Sequence, residues 1–150
     1  MSQIFDVDNA KDLFDMVEKW FKKYCDDSEK RTEDIIAIIM IVNHLREWIS
    51  PGFGPDSSKN WPVAKTPADD VSRKVYEHPM FSTIRKLCNG TKHAKKVPVT
   101  ATAYETDVYK WSNVYDVKDV YKGSPCRHLV DCRPVETFIE PIMELYRAWF

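Results

Sequence analysis

The sequence predicts an α+β protein that is mainly α: a four-helix bundle with a small antiparallel β insertion before the last helix. Three observations predict this. Apolar residues recur at i, i+3, i+4 and i+7 through four segments. Between residues 97 and 131 that period gives way to alternation. A chain of 150 residues, 43% hydrophobic and 30% charged, has the length and makeup of one globular domain rather than a disordered chain.

The first helix is expected over about residues 8–25. Ala10, Leu13, Phe14, Val17, Trp20, Phe21 and Tyr24 form one apolar stripe. Asp8, Asp12 and Asp15 stand early and Lys19, Lys22 and Lys23 late, which suits the helix dipole. The second helix is expected over 33–49, with Thr32 as N-cap. Its segment "IIAIIMIV" is apolar all round, and the period continues through Leu45, Trp48 and Ile49. That makes it the central, most buried helix.

Residues 50–67, "SPGFGPDSSKNWPVAKTP", read as a long loop because Pro, Gly and Ser recur through them, with Phe53 and Trp61 as anchors. Thr66-Pro67-Ala68-Asp69 then places a cap, a proline at the first helical position and an acid at the third. A third helix is expected over 67–95, kinked or split at His78-Pro79, where the proline lacks an amide and crowds the preceding turn.

Beyond Lys96, "VPVTATAY", "DVYKW", "NVYDV" and "RHLVD" are β-branched and aromatic, separated by Ser-Asn and Lys-Gly-Ser-Pro turns. They predict about three strands within 97–131. The last helix, expected over 134–150, carries Val135, Phe138, Ile139, Ile142, Met143, Tyr146, Trp149 and Phe150, with Pro141 as a place to bend.

Charge and cysteine usage set limits on function. The 22 Lys and Arg against 23 Asp and Glu leave a net charge of −1, so the whole molecule has no bias toward polyanions. The distribution is uneven: Arg73, Lys74, Arg85, Lys86, Lys92, Lys95 and Lys96 are opposed only by Glu77, while the first 34 residues carry an acidic excess. The opening residues have acids where a signal peptide needs positive charge, and the longest apolar run is too short to cross a bilayer. Four cysteines without a secretory signal predict reduced thiols in a cytoplasmic protein with no membrane partner.

The most informative stretch is "MFSTIRKLCNGTKHAKK", residues 80–96. Asn89-Gly90 is a common helix stop. A helix that continued through it would instead stack Arg85, Asn89 and His93 on one stripe. Two readings follow. Either the pair caps a helix and His93 sits in a basic loop, or the stripe is a polar site with a phosphate-binding fork and a proton carrier.

The string "IRKLCNGTKH" resembles the signature of HEPN-type helical domains, in the branch written Arg-x3-Asn-x3-His, and "IVNHLREWI" is similar to the helix packed beside it in such proteins. The resemblance covers roughly residues 33–95. It implies a helical bundle that pairs with a second copy, and in many members a metal-independent ribonuclease of toxin or defence systems. Carried over, it makes Arg85 and His93 catalytic with Asn89 beside them, and Lys86, Lys92, Lys95 and Lys96 ligands of RNA phosphates, with no cofactor. The usual catalytic spacing is shorter than the seven residues that intervene here, and branches with long spacing include members without known nuclease activity. The alternative expectation is a non-catalytic, dimerising protein-interaction module. The aromatic end Trp149-Phe150 adds to the expectation of a homodimer.

Other clusters carry blander expectations. Cys126, His128 and Cys132 match no standard zinc spacing, so no metal site is expected, and an inward-facing cysteine on a strand accounts for them. His44 is expected as a hydrogen-bonded core histidine, with the added option of facing His93 across a polar pocket. His78 reads as structural, and Cys88 as a buried thiol without a base. Tyr104, Tyr109, Trp111, Tyr115 and Tyr121 are expected to pack the sheet on the bundle rather than stack bases.

Overall fold

In the computed structural model, residues 5–93, 99–103 and 127–150 are described, with the backbone alone for Lys92 and His93. Among them are five helices: α1 (Ala10–Asp26), α2 (Thr32–Ile49), α3 (Pro67–Glu77), α4 (Pro79–His93) and α5 (Glu136–Trp149). Three short strands, β1 (Ala101–Ala103), β2 (His128–Val130) and β3 (Arg133–Pro134), form an antiparallel sheet in that order, ahead of the last helix. The architecture is thus mainly helical with a small sheet, as the two periods predict.

Helix α1 starts where Asn9 accepts the amide of Asp12 at 3.0 Å, and it buries Leu13, Phe14, Val17, Phe21 and Tyr24. Helix α2 buries Ile35, Ile38, Ile39, Val42 and Leu45 and, like α5, touches all four other helices. It is not apolar all round in use, because Met40 is exposed. Tyr146 of α5 donates to the carbonyl of Val42 at 2.9 Å, so the one polar atom of that fully buried ring is satisfied against the central helix. Each fully buried aliphatic or aromatic side chain in this core contributes about 1.5–3 kcal/mol of transfer free energy.

The expected third helix is two helices. His78, the residue before proline, is held extended at φ −64° and ψ 132°, because the ring of Pro79 disfavours the helical conformation there. Its backbone still links the two, accepting from Phe81 at 3.0 Å, while its ring accepts from the Met80 amide at 3.2 Å. At the start of α3 the capping box is complete: Thr66 accepts from the Asp69 amide and Asp69 accepts from the Thr66 amide. Asp69 also accepts from Ser50, and this bond above all holds its carboxyl below the usual aspartate range.

Between α2 and α3 the long loop is anchored by rings. Phe53 is buried and lies 5.4 Å from Trp61, which meets Tyr76 of α3 edge-on at 5.1 Å. Asp56 closes a tight turn by accepting the amides of Ser58 and Asn60, each at 2.9 Å, with Lys59 at φ 63° inside it.

Two boundary expectations are corrected. Thr32 does not cap α2; it is the first helical residue after Arg31, and its hydroxyl reaches His128 Nε2 at 3.1 Å instead. The sheet runs past residue 131, because Asp131 and Cys132, at φ 50° and 63°, form a two-residue turn that returns β3 onto β2. Helix α5 accordingly begins at Glu136 and continues through Pro141. Phe150 stacks on Phe14 within the chain at 4.8 Å, so that ring does not stand free for a second copy. Among the described residues no helix is long and apolar enough to cross a membrane.

Candidate functional site

Helix α4 runs through Asn89-Gly90 and includes His93. The question of whether that pair stops the helix is thereby answered for the backbone: Arg85, Asn89 and His93 share one helix at i, i+4 and i+8. Burial fixes how the helix is turned. Phe81, Ile84 and Cys88 face the core, Arg85 and Lys86 are half-buried, and Asn89 is exposed. Thr91 is exposed; its hydroxyl donates to the Leu87 carbonyl one turn back at 2.6 Å. The side chains of Lys92 and His93, and residues Ala94, Lys95 and Lys96, lie outside the described residues.

Arg85 has a specific seat. Its guanidinium lies 4.2 Å from the ring centre of Tyr76, with Arg46 4.9 Å from the same centre. The two cations differ in partners. Arg46 donates to the Phe53 carbonyl at 3.2 Å and approaches Glu47 at 3.6 Å, which ties it into the loop anchor. For Arg85 there is no carboxylate partner among the described residues. No acidic residue occurs in the sequence between Glu77 and Glu105, so α4 is a wholly cationic helix surface whose Arg85 is oriented by an aromatic face rather than by an acid.

The His93 side chain that His44 was expected to face lies outside the described residues, so what is described is His44's own place on α2. The buried stripe of α2 passes through Val42 and Leu45, so residue 44 falls off it; the ring is 41% exposed and lies 3.5 Å from Glu47 Oε2. It is a surface histidine, not a core one.

Among the described residues the buried histidine is His128. Alternation on β2 was expected to turn a cysteine inward, but Cys132 is exposed in the hairpin turn and Cys126 lies outside the described residues. His128 is 7% exposed, with Nδ1 2.6 Å from the Tyr24 hydroxyl and Nε2 near Thr32. Burial, with Arg127 and Lys30 nearby, lowers its pKa to about 4, so the ring is neutral at neutral pH. With both ring nitrogens engaged it is a structural hydrogen-bonding group, and no cluster of three or more metal-binding side chains exists among the described residues.

Sequence reasoning missed Lys30, whose side chain is 1% exposed. Its ammonium donates to the carbonyls of Tyr24 and Cys25 at the end of α1, at 2.6 and 2.9 Å, and stands 4.0 Å from Glu136. Burial raises the Glu136 carboxyl above its usual range. The only local signal was a lysine just past a helix C-terminus, where cations are favoured. Cys25 next to it is pushed up to about 11 by burial, which removes it as a nucleophile.

On the other side of α4, a cavity of about 310 Å³ lies between α2, α4 and the sheet, and Leu87, Gly90 and Thr91 form its α4 wall. Comparison of the chain with protein-family models, curated proteins and solved structures finds no match.

Proposed function

We propose that the chain is a HEPN-like, RNA-directed protein that engages single-stranded RNA along α4. The observation that carries this reading is the uninterrupted helix through Asn89-Gly90, which aligns Arg85, Asn89 and His93 on an element without a carboxylate. Arg85 supplies a guanidinium laid on Tyr76, with no carboxylate partner among the described residues, suited to the fork geometry of phosphate. Asn89 is exposed beside it, able to both donate and accept. Lys86, Lys92, Lys95 and Lys96 extend the positive charge along the chain, and phosphate neutralisation by such groups dominates affinity.

The spacing favours binding over catalysis. Eight helical steps separate Arg85 from His93 by about 12 Å at the backbone. With the guanidinium committed to Tyr76, the pair suits contacts to separate phosphates better than assembly around one. In a cleaving version, His93 would take the proton of the 2′-hydroxyl as its oxygen attacks phosphorus, Arg85 would neutralise the charge growing on the phosphorane, and the P–O5′ bond would break to leave a 2′,3′-cyclic phosphate and a 5′-hydroxyl protonated by water.

The test uses a labelled short single-stranded RNA in chelator-containing buffer. Wild type is expected to bind, and Arg85→Ala to weaken binding about tenfold through loss of a charge-assisted contact, with a salt slope smaller by about one. RNA that stays intact identifies a binder, whereas cleavage abolished by His93→Ala identifies a ribonuclease. Absence of both binding and cleavage at low salt overturns the proposal in favour of a protein-interaction module.

A further inference from the structure

The cavity beside α4 has three walls: Ile35, Ile36 and Ile39 from α2, Leu87 from α4, and Val130 from the sheet, with Val135 also in the lining. Its volume of about 310 Å³ is roughly twice that of an engineered apolar cavity that admits benzene, and it reaches the lower range of small-molecule sites. We propose that it binds a small, uncharged, mostly hydrocarbon molecule carrying one hydrogen-bond donor, such as a medium-chain alcohol or an N–H aromatic ring.

The chemistry of the lining sets this class. None of the described lining residues is Asp, Glu, Lys or Arg, so a charged ligand would lose its hydration without gaining a partner. The polar lining groups include Thr32, Thr91 and His128. The nitrogens of His128 are engaged by Tyr24 and Thr32, and the neutral ring offers no charge. The Thr91 hydroxyl donates to Leu87, which leaves its oxygen able to accept, so the cavity can receive a donor there, and the Thr102 hydroxyl is a further polar group of the lining. Isoleucine, leucine and valine methyls supply the rest of the contact. This inference is independent of the RNA reading, because the stripe of Arg85 and Asn89 takes no part in the lining.

The experiment titrates methyl-labelled full-length protein with 1-octanol, and separately with octanoate at neutral pH. Saturable shifts are expected for the methyls of Ile35, Ile36, Ile39, Leu87 and Val130 with 1-octanol, at least tenfold weaker with octanoate. Thr91→Phe and Ala101→Phe introduce bulk at exposed rim positions and should each abolish the shifts while the amide spectrum stays folded. No saturable shift in wild type, shifts that map elsewhere, or equal affinity for octanoate would each overturn the proposal.

Discussion

His128 shows how one residue's surroundings decide its role. The same imidazole that a metal or a proton relay would use is here buried between Tyr24 and Thr32, with its pKa lowered to about 4. The unfolded chain, with an ordinary histidine near 6.5, binds the proton more readily than the folded one between those values. Stability contributed by keeping this ring neutral is therefore complete above about pH 6.5 and lost as pH falls toward 4, by on the order of 3 kcal/mol. Glu136, whose carboxyl is raised by burial, acts in the opposite sense as pH falls, so the difference between variants isolates the histidine. Urea midpoints for wild type should drop through that window, and His128→Gln should flatten the drop; parallel curves would remove the assignment. Nothing local in "CRHLVDC" signals this arrangement, because the ring's partners stand 104 and 96 residues away. The contrast with Arg85 is instructive: its place on a cationic helix is readable from sequence, while its seat on Tyr76 depends on how α3 meets α4.

The elements divide by how local their causes are. Helix α3 was legible to the residue, since Thr66, Pro67 and Asp69 specify its start through bonds no more than three residues long. The split at His78 was legible too, because Pro79 acts on the residue directly before it. Thr66→Ala should cost about 1 kcal/mol in a denaturant titration, with Asp69→Ala costing more because that carboxylate also accepts from Ser50 and the Lys65 amide. Equal or negligible losses would mean the box is not the main cap. The start of α2 was misread for the complementary reason. Thr32 is a good cap by type, but its hydroxyl is drawn to a distant histidine. The sheet was legible as a change of period, not in its bounds: the turn at Asp131-Cys132 lacks the usual Asn-Gly or Asp-Gly signal. The five aromatic residues expected to pack the sheet, Tyr104, Tyr109, Trp111, Tyr115 and Tyr121, fall outside the described residues.

At the scale of the whole molecule, α4 separates two different environments. One side faces the apolar cavity and the core through Leu87, Gly90 and Cys88; the other presents Arg85 and Asn89. A net charge of −1 conceals this local positive surface, which is why composition excludes a general polyanion binder without excluding a directed one. The homodimer expected from the HEPN resemblance belongs with the same proposal, and its aromatic motive is weaker now that Phe150 packs on Phe14. The central claim is that RNA is read along α4. Its most direct test is an amide-resolved NMR titration of the full chain with a short single-stranded RNA. The largest saturable shifts are expected at Arg85, Lys86, Asn89, Lys92 and His93, with α1 and α5 unmoved. Shifts confined to α1 or α5, or none at low salt, would contradict it.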